Sequence, residues 1–152
     1  MRLLFLILFP LSLLSQTKVN IQIMQKQHYC GGARPNPEIL AEHEKPKPFA
    51  NKNLVLVSAN GKICTATTNA NGYLKIKLKA GSYKVYEAWR YNKKTPDGTD
   101  TKNFDQECLK SAWEKVDMTI DAQSKSQNIV IYIDDAYCTY TIPCILNPQY
   151  PE

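Results

Sequence analysis

The sequence is poor in the residues that enzymes use to move protons. It has two histidines, His28 and His43, and it carries no Ser–His–Asp signature. It also lacks the Cys-x-x-Cys and His-x-x-x-His spacings that are common in redox sites and metal sites. From these absences we expect no enzymatic activity and no cofactor.

Long apolar runs are absent after residue 15. Residues 1–15 start with a cation at Arg2, continue through a mostly apolar stretch and end at the small residue Ser15. This order is typical of a signal peptide, and the apolar stretch is short for a bilayer span. We predict cleavage after Ser15, no transmembrane segment in the mature chain, and a secreted or periplasmic location at the cell envelope. A retained membrane anchor is the alternative.

A concentrated charge of one sign is also absent. The formal net charge is +5, and the lysines form small, separate groups. A nucleic-acid-binding surface needs a basic stripe with interleaved aromatic residues, so we expect no nucleic-acid partner. Within residues 74–79, three lysines alternate with three apolar residues. This period of two predicts a strand with one face on a core and the other in water.

Turn signals frame this strand, because Asn71-Gly72 precedes it and Gly81-Ser82 follows it. Similar patterns predict further strands at residues 18–27, 53–58, 63–68, 83–89, 116–120 and 128–133. Short helices are predicted after a cap at Asn36 and within residues 105–115. The fold class is therefore all-β, an antiparallel sandwich of about seven strands with two short helices and disulfide staples. We assign residues 16–137 to this domain and 138–152 to an irregular tail packed on it.

The motif Thr68-Asn69-x-x-Gly72, followed by the alternating strand and by Gly81-x-Tyr83, resembles one found in transthyretin-like and carboxypeptidase-regulatory-like domains. These domains share a prealbumin-type, immunoglobulin-like sandwich with bacterial Cna-B repeats. The resemblance covers residues 54–87, and the whole chain is similar to small secreted bacterial proteins. It implies a fold and export across a bacterial membrane, and it implies no activity.

In Cna-B domains, a glutamate near the position of Glu87 promotes an isopeptide bond between a lysine and an asparagine. The resemblance would place this bond between Lys18 or Lys26 on the first strand and Asn128 near the last strand. The alternative is that Glu87 is an ordinary strand residue at the surface.

The chain contains five cysteines, so at least one of them is free or pairs with another chain. Several two-bridge schemes are compatible with the sequence, including a small loop closed by Cys138 and Cys144. We favour the pairs Cys108–Cys138 and Cys30–Cys144, which would fasten the tail and the Cys30 bend to the sandwich. Cys64 lies within a predicted strand among core-like residues, and we expect it to be the free thiol.

A metal site is the main alternative to this disulfide scheme. His28 and Cys30 would point the same way on a strand, and His43 lies downstream, so the three are candidate ligands for copper or zinc. The competing interpretation is a bridged Cys30 and an exposed His28. Asp134 and Asp135 lack the spacing of a calcium loop, and we interpret them as a polar turn.

The resulting hypothesis is a non-enzymatic, exported module that binds a protein or glycan partner or supports the envelope. The polar segment 91–104 is long for a connection in a compact domain, and such loops often carry function. We expect recognition residues there, at Tyr91, Asn92, Asp97 and Phe104. The aromatic residues are candidates for a carbohydrate or peptide surface or, alternatively, for the core and its rim: Tyr83, Tyr86, Trp89, Tyr91 and Trp113. A periplasmic copper or zinc protein is the alternative function.

Overall fold

The computed structural model describes residues 16–28, 36–138 and 142–146, with side chains except at 27, 28, 43 and 134–138. Two sheets enclose the core. The strands are β1 Thr17–His28, β2 Lys47–Pro48, β3 Asn53–Ser58, β4 Ile63–Thr67, β5 Tyr73–Leu78, β6 Gly81–Glu87, β7 Met118–Ala122 and β8 Gln127–Cys138. The helices are α1 Pro37–His43, α2 Ala88–Tyr91 and α3 Gln106–Glu114, with a 3₁₀ turn at Thr101–Asn103. This architecture confirms the predicted β sandwich.

The first sheet is built around β1. The first half of β1 pairs antiparallel with β5, and its second half pairs with the two-residue strand β2. On its other side β1 pairs with β8 over most of its length, and this pairing is parallel. The parallel pair departs from the predicted antiparallel arrangement. No hairpin joins β1 to β8, because the second sheet lies between them in sequence, so no local turn sets their relative direction.

The second sheet has the strand order β4-β3-β6-β7 and is antiparallel throughout. Asn60-Gly61 forms the predicted turn between β3 and β4, with Gly61 at a φ of 78°. The central strand β3 carries the continuous apolar run that residues 53–58 predicted, and β4 forms one edge of the sheet. The position of β4 at an edge is central to the site described below.

The core lies between the two sheets and is formed by alternate side chains of their strands. Its residues are Val19, Ile21, Ile23, Phe49, Leu54, Leu56, Leu74, Leu78, Tyr83, Val85, Met118, Ile120 and Ala122, each no more than 7% exposed. The intervening side chains point outward, so each sheet presents one outer face on which a ligand could be recognised.

The turn before β5 is fastened to β1 and to the loop before β3. The hydroxyl of Thr68 donates to the Phe49 carbonyl (2.6 Å) and accepts from the N–H of Lys52 (2.9 Å). Asn69 accepts from the N–H of Tyr73 (2.9 Å) through its side-chain oxygen. Gly72 has a φ of 72°, and a Cβ atom there would lie 2.4 Å from a backbone oxygen of β1. Each polar residue of the motif and its glycine thus has a structural role.

Two of the helices begin where the sequence predicted them. The side chain of Asn36 accepts from the N–H of Ile39 (2.8 Å) at the start of α1, and Asp105 accepts from the N–H of Cys108 (2.8 Å) at the start of α3. Such caps satisfy backbone donors that a helix cannot pair internally. No helix in the described part of the chain is both long and apolar enough to cross a membrane.

The third helix, α2, was not predicted, because residues 83–89 looked like one continuous strand. The chain leaves β6 at Glu87, whose N–H donates to the Asp117 carboxylate (2.7 Å). The same carboxylate lies 3.0 Å from Nε of the buried Arg90, and Nη1 of Arg90 donates to the Ala112 carbonyl (2.8 Å). Asp117 thus contacts both Glu87 and Arg90, on either side of the bend between β6 and α2. Because Asp117 lies far from them in the sequence, no local pattern could predict these contacts.

Cys108 in α3 forms a disulfide with Cys144, and their Cα atoms are 5.5 Å apart. The predicted pairs Cys108–Cys138 and Cys30–Cys144 are therefore wrong. The path of the tail explains the difference. Cys144 is brought beside α3 by a hydrogen bond from the N–H of Asp105 to its carbonyl (2.9 Å).

Cys138 lies elsewhere, at the end of β8 and opposite His28 of the first sheet. Cys64 is free and half-buried, on the face of β4 that packs against the core. Burial raises the pKa of its thiol, and the nearby charge of Lys62 opposes this shift only in part. Cys30 lies outside the described residues.

Candidate functional site

A groove of about 570 Å³ lies on the outer face of the second sheet. Strands β3 and β4 contribute to its lining on one side and the helix α2 on the other. Its lining residues are Asn53, Leu54, Val55, Ile63, Thr65, Ala66, Thr67, Ala88, Tyr91 and Asn92. None of these side chains is charged near neutral pH, so the groove is suited to an uncharged ligand.

The groove combines apolar surface with a few polar groups, as binding sites commonly do. Val55 is almost fully buried, while Ile63 is 49% exposed and Tyr91 is 37% exposed. Asn92 donates its Nδ2 to the Ala88 carbonyl (2.8 Å). Its side-chain oxygen has no partner among the described residues and is available to accept a hydrogen bond from a ligand.

The backbone of β4 adds a row of polar groups beside this groove. The bonds from Thr68 N–H to the Lys52 carbonyl and from Ser58 N–H to the Lys62 carbonyl, 3.0 and 2.9 Å long, fix the phase of the β3–β4 ladder. In an antiparallel pair, every second residue directs its N–H and C=O toward the partner strand. The intervening residues of β4, which are Ile63, Thr65 and Thr67, therefore direct these groups to the free edge.

The free edge of β4 has no pairing strand in the described part of the chain. An unpaired edge can accept an extended peptide, which then adds a strand to the sheet. The side chains of Ile63, Thr65 and Thr67 lie on the outer face of the same strand and also line the groove. Backbone groups that can bind a peptide chain thus adjoin a groove that can select its side chains.

The helix α2 holds Tyr91 in place above the sheet. The ring of Tyr91 lies 5.9 Å from that of Tyr86 on β6, at an angle of 53°. Preceding it, Arg90 is 4% exposed and its guanidinium lies 4.2 Å from the centre of the Trp89 ring. Arg90 also forms an ion pair with Asp117, and these contacts fix α2, and with it Tyr91, against the rest of the domain.

The structure separates the four predicted recognition residues. Tyr91 and Asn92 line the groove. Asp97 does not; its carboxylate accepts from the N–H of Thr99 (3.0 Å), and this bond holds the pKa of Asp97 below its ordinary value. Phe104 is only 2% exposed, so its ring packs inside the protein and is not available to a ligand.

The other aromatic residues mostly serve the fold. The hydroxyl of Tyr83 donates to the Lys79 carbonyl (3.0 Å) from a ring that is 7% exposed. The indole Nε1 of Trp113 donates to the Lys94 carbonyl (2.8 Å) and ties α3 to the segment after α2. The interpretation of these two side chains as core and rim residues agrees with their contacts.

Sequence reasoning missed most of the groove. Val55 and Ile63 lie on different predicted strands, and nothing local shows that α2 covers the space beside them. A usable signal was present in β4, where Ile63, Thr65 and Thr67 occupy one face. Their outward orientation follows from the core position of the intervening residues, Cys64 and Ala66.

The structure places Glu87 in a different sheet from the lysines and the asparagine of the isopeptide hypothesis. Glu87 lies on the second sheet, where its carboxylate is 3.3 Å from Nζ of Lys52. Asn128 lies on the outer face of the first sheet and accepts from Nδ2 of Asn20 (2.9 Å). Glu87 therefore neutralises a different lysine from the one that the resemblance required.

The metal hypothesis rests on residues at the margins of the described chain. His28 ends β1 and His43 ends α1, with neither side chain described, and Cys30 lies outside the described residues. Asp134 and Asp135 belong to β8 rather than to a turn. Among the side chains that are described, no group of three or more His, Cys, Asp and Glu residues is arranged to hold a metal ion.

Comparison with known proteins gives similar structures at low sequence identity. No protein-family model and no curated protein matches the chain. Shaft pilin SpaA from Lactobacillus rhamnosus GG is 12% identical over 79% of this chain, with a TM-score of 0.42. A DUF3823 family protein from Parabacteroides merdae is 10% identical over 79% of this chain, with a TM-score of 0.38. The Bacillus anthracis TIE protein is 13% identical over 78% of this chain, with a TM-score of 0.39. The chain spans only 50%, 45% and 17% of these three proteins.

Proposed function

We propose that the protein is a non-enzymatic, exported binding module that takes up an extended segment of a partner protein along β4. The observation that supports this most directly is the free edge of β4 beside the uncharged groove. In strand addition, main-chain hydrogen bonds supply affinity, and pockets for alternate side chains supply specificity. Ile63, Thr65 and Thr67 offer both kinds of contact.

The character of the groove favours a neutral segment with apolar side chains at alternate positions. Ile63 and Tyr91 are partly exposed at the groove, and Val55, which is almost fully buried, also lines it. A charged side chain would find no opposite charge among the lining residues, and it would lose hydration on entry. The partner segment is therefore expected to carry aliphatic or aromatic residues toward the groove.

Export is supported by two features. Residues 1–15 have the order of a signal peptide, and the Cys108–Cys144 disulfide is of a kind that persists in oxidising compartments. We accordingly propose a location outside the cytoplasm, at the envelope or beyond it. A structural accessory of the envelope would use the same edge to join neighbouring chains.

The substitution Thr65→Pro tests the proposal. Its N–H points to the free edge, so proline removes a donor for the ligand and spares the ladder with β3. Peptides would be selected from a displayed random library on the immobilised wild-type protein, and their affinities would be measured for each variant. We expect Thr65→Pro to weaken binding at least about tenfold, whereas Thr65→Val, which keeps the N–H, changes it less than about threefold.

A second variant, Tyr91→Ala, removes one side of the groove and should also weaken binding about tenfold. Its matched control is Tyr73→Ala on the outer face of the first sheet, where a tyrosine is similarly exposed. Equal affinities of wild type and Thr65→Pro, with both proteins folded, would contradict strand addition. Failure of the library to yield any peptide ligand would do the same.

A further inference from the structure

The outer face of the first sheet carries a second, chemically different surface. The strand registers place Lys18 opposite Lys77 and Asn20 opposite Lys75. Farther along the sheet, Tyr73 lies opposite Gln22. Across β1, the neighbours on β8 are Asn128, Val130 and Tyr132, which lie beside Asn20, Gln22 and Met24. One end of this face is thus basic, its middle is rich in amides, and its other end is aromatic and apolar.

Three lysines at the basic end of this face have no acidic partner in the described part of the chain. Lys18, Lys75 and Lys77 are exposed, and none of them forms an ion pair there. β1, β5 and residues 127–133 of β8 contain no aspartate or glutamate. A hollow of about 360 Å³ lies between these three lysines and Asn20. The positive charge is therefore concentrated around a depression and is left uncompensated.

The juxtaposition of Lys18 and Lys77 has a cost to the fold. Like charges directly opposite each other on paired strands destabilise a sheet. The sequence alone shows only the alternation around Lys75 and Lys77, which any solvated strand face would have. It is the pairing of β1 with β5 that adds Lys18 to the same row and makes the row a candidate for binding an anion.

The amides and aromatic rings indicate what kind of anion would fit. Asn20 donates to Asn128 (2.9 Å), which orders both amides and leaves the Nδ2 of Asn128 without a partner among the described residues. Tyr73 is 45% exposed and Tyr132 is 62% exposed. Amides can bind hydroxyl groups, lysines can bind carboxylates, and exposed aromatic faces can stack on the apolar faces of sugar rings.

We propose that the outer face of the first sheet binds an acidic polysaccharide, with its carboxylates at Lys18, Lys75 and Lys77 and its sugar rings near Tyr73 and Tyr132. A glycan is favoured over a nucleic acid by two observations. The face has no arginine for phosphate recognition, and the Cys108–Cys144 disulfide is typical of compartments outside the cytoplasm. This proposal is independent of the groove on the second sheet.

The test is the binding of an oligogalacturonate to the folded protein, measured by calorimetry at low and high salt. A malto-oligosaccharide of equal length is the uncharged control ligand. We expect the oligogalacturonate to bind, the malto-oligosaccharide to bind at least about tenfold more weakly, and added salt to weaken the binding of the acidic ligand. No binding of the acidic ligand, or equal binding of the two, would overturn the proposal.

Variants locate the binding on this face. The pair Lys75→Gln and Lys77→Gln should weaken binding of the oligogalacturonate about tenfold or more. The matched control is Lys62→Gln with Lys84→Gln, which removes the same charge from the turn before β4 and from β6 and should change affinity less than about twofold. All four side chains are exposed, so both variants are expected to fold. Equal losses for the two pairs would show unspecific attraction and refute the assigned site.

The tyrosines distinguish a glycan from other anions. Loss of both rings in a Tyr73→Ala, Tyr132→Ala variant should weaken oligogalacturonate binding about tenfold, with the salt dependence retained. Oligothymidylate serves as the competing ligand, because exposed aromatic residues beside lysines can also stack on bases. Tighter binding of oligothymidylate than of oligogalacturonate would overturn the glycan assignment in favour of a nucleic acid.

Discussion

At the residue scale, Gly72 occupies a position that other residues cannot fill. It has a positive φ, and a Cβ atom would lie 2.4 Å from the Ile23 carbonyl oxygen, which is itself bonded to the N–H of Phe49 (3.0 Å). In the motif that resembles the carboxypeptidase-regulatory-like domains, glycine is therefore needed because the backbone at Gly72 passes close to the backbone of β1 at Ile23. The motif stabilises the turn that leads into Tyr73, one of the residues proposed to contact the polysaccharide.

Gly72→Ala separates this close approach from the conformational preference of glycine. The matched control is Gly98→Ala, because Gly98 has a φ of 76° and open space around its Cα atom. We expect Gly98→Ala to cost about 1 kcal/mol of unfolding free energy and Gly72→Ala to cost about 3 kcal/mol or more. Urea unfolding measures both. Equal losses would mean that the contact with Ile23 relaxes without cost.

Cys64 is expected to make the free energy of unfolding depend on pH. Because burial raises the pKa of the Cys64 thiol, the unfolded chain loses this proton more readily than the folded chain. The contribution of Cys64 to stability is therefore present below its ordinary pKa of 9.0 and is lost as the pH rises through the higher pKa of the folded state.

We expect the unfolding free energy of the wild type to fall in this alkaline range relative to that of a Cys64→Ser variant, which does not titrate there. Alkylation of Cys64 in the folded protein should likewise reach half of its maximal rate at a higher pH than alkylation of an unfolded peptide. A parallel pH dependence of the two proteins, or an alkylation midpoint at or below that of the peptide, would contradict the buried thiol.

At the element scale, short-range sequence patterns predicted most of the strands. The helix α2 and the order of the strands depend on long-range contacts. The alternation around Lys75 and the Asn60-Gly61 turn gave β5 and the β3–β4 hairpin correctly. The helix α2 depends on the binding of Arg90 by Asp117, which lies far along the chain. The parallel pairing of β1 with β8 and the free edge of β4 depend on strand order, which no local pattern contains.

The candidate site was predicted only in part for the same reason. The assignment of recognition residues to segment 91–104 stays a prediction for Tyr91 and Asn92, which line the groove. It was wrong for Phe104, which is buried, because an apolar residue at the end of a polar loop does not reveal whether it faces solvent or core. The strand residues that complete the groove became recognisable only when the two sheets were assembled.

The disulfide fastens segment 142–146 to the start of α3. Phe104 and Ile145 form a β bridge, and the N–H of Leu146 donates to the Asn103 carbonyl (2.9 Å). Since Cys108 and Cys144 are separated by 36 residues, their bond limits the freedom of the unfolded chain considerably. We expect replacement of both by alanine to lower the unfolding free energy by about 3 kcal/mol.

The same urea titration, with Cys64→Ala as the control that keeps the bridge, measures this loss. The double variant should also become sensitive to proteolysis near residues 142–146, because the hydrogen bonds there are few. Unchanged stability of the double variant would indicate that the backbone contacts hold the tail without the bridge.

At the scale of the whole molecule, the pairing of two cysteines is a prediction, because Cys30 lies outside the described residues. With Cys108 bonded to Cys144 and Cys64 free, Cys30 and Cys138 are left. Cys138 lies opposite His28 on the parallel strand pair, and Cys30 follows His28 by two residues in the sequence. By elimination, we predict that Cys30 pairs with Cys138.

Peptide mapping without reduction, on protein purified from an oxidising compartment, tests this pairing. We expect a single free thiol, at Cys64, and a cross-linked peptide that joins Cys30 to Cys138. Free thiols at both of these positions would contradict the second bridge, and bound copper or zinc in the same sample would restore the metal hypothesis for His28 and Cys30.

The two outer faces of the molecule differ in charge. The groove of the second sheet is uncharged, and the outer face of the first sheet is basic; the core lies between them. Because the ligands would occupy opposite faces, both can bind at once. Under the two proposals together, the molecule would hold a protein segment on one face and an acidic polysaccharide on the other.

The most direct measurement of the central claim is amide hydrogen exchange, followed by NMR, with and without a selected peptide. The N–H groups of Cys64 and Ala66 point to β3 and should be protected in both states. Those of Ile63, Thr65 and Thr67 point to the free edge and should gain protection only when the peptide is bound. Protection that leaves these three amides unchanged, or that appears around Tyr73 instead, would contradict strand addition at β4.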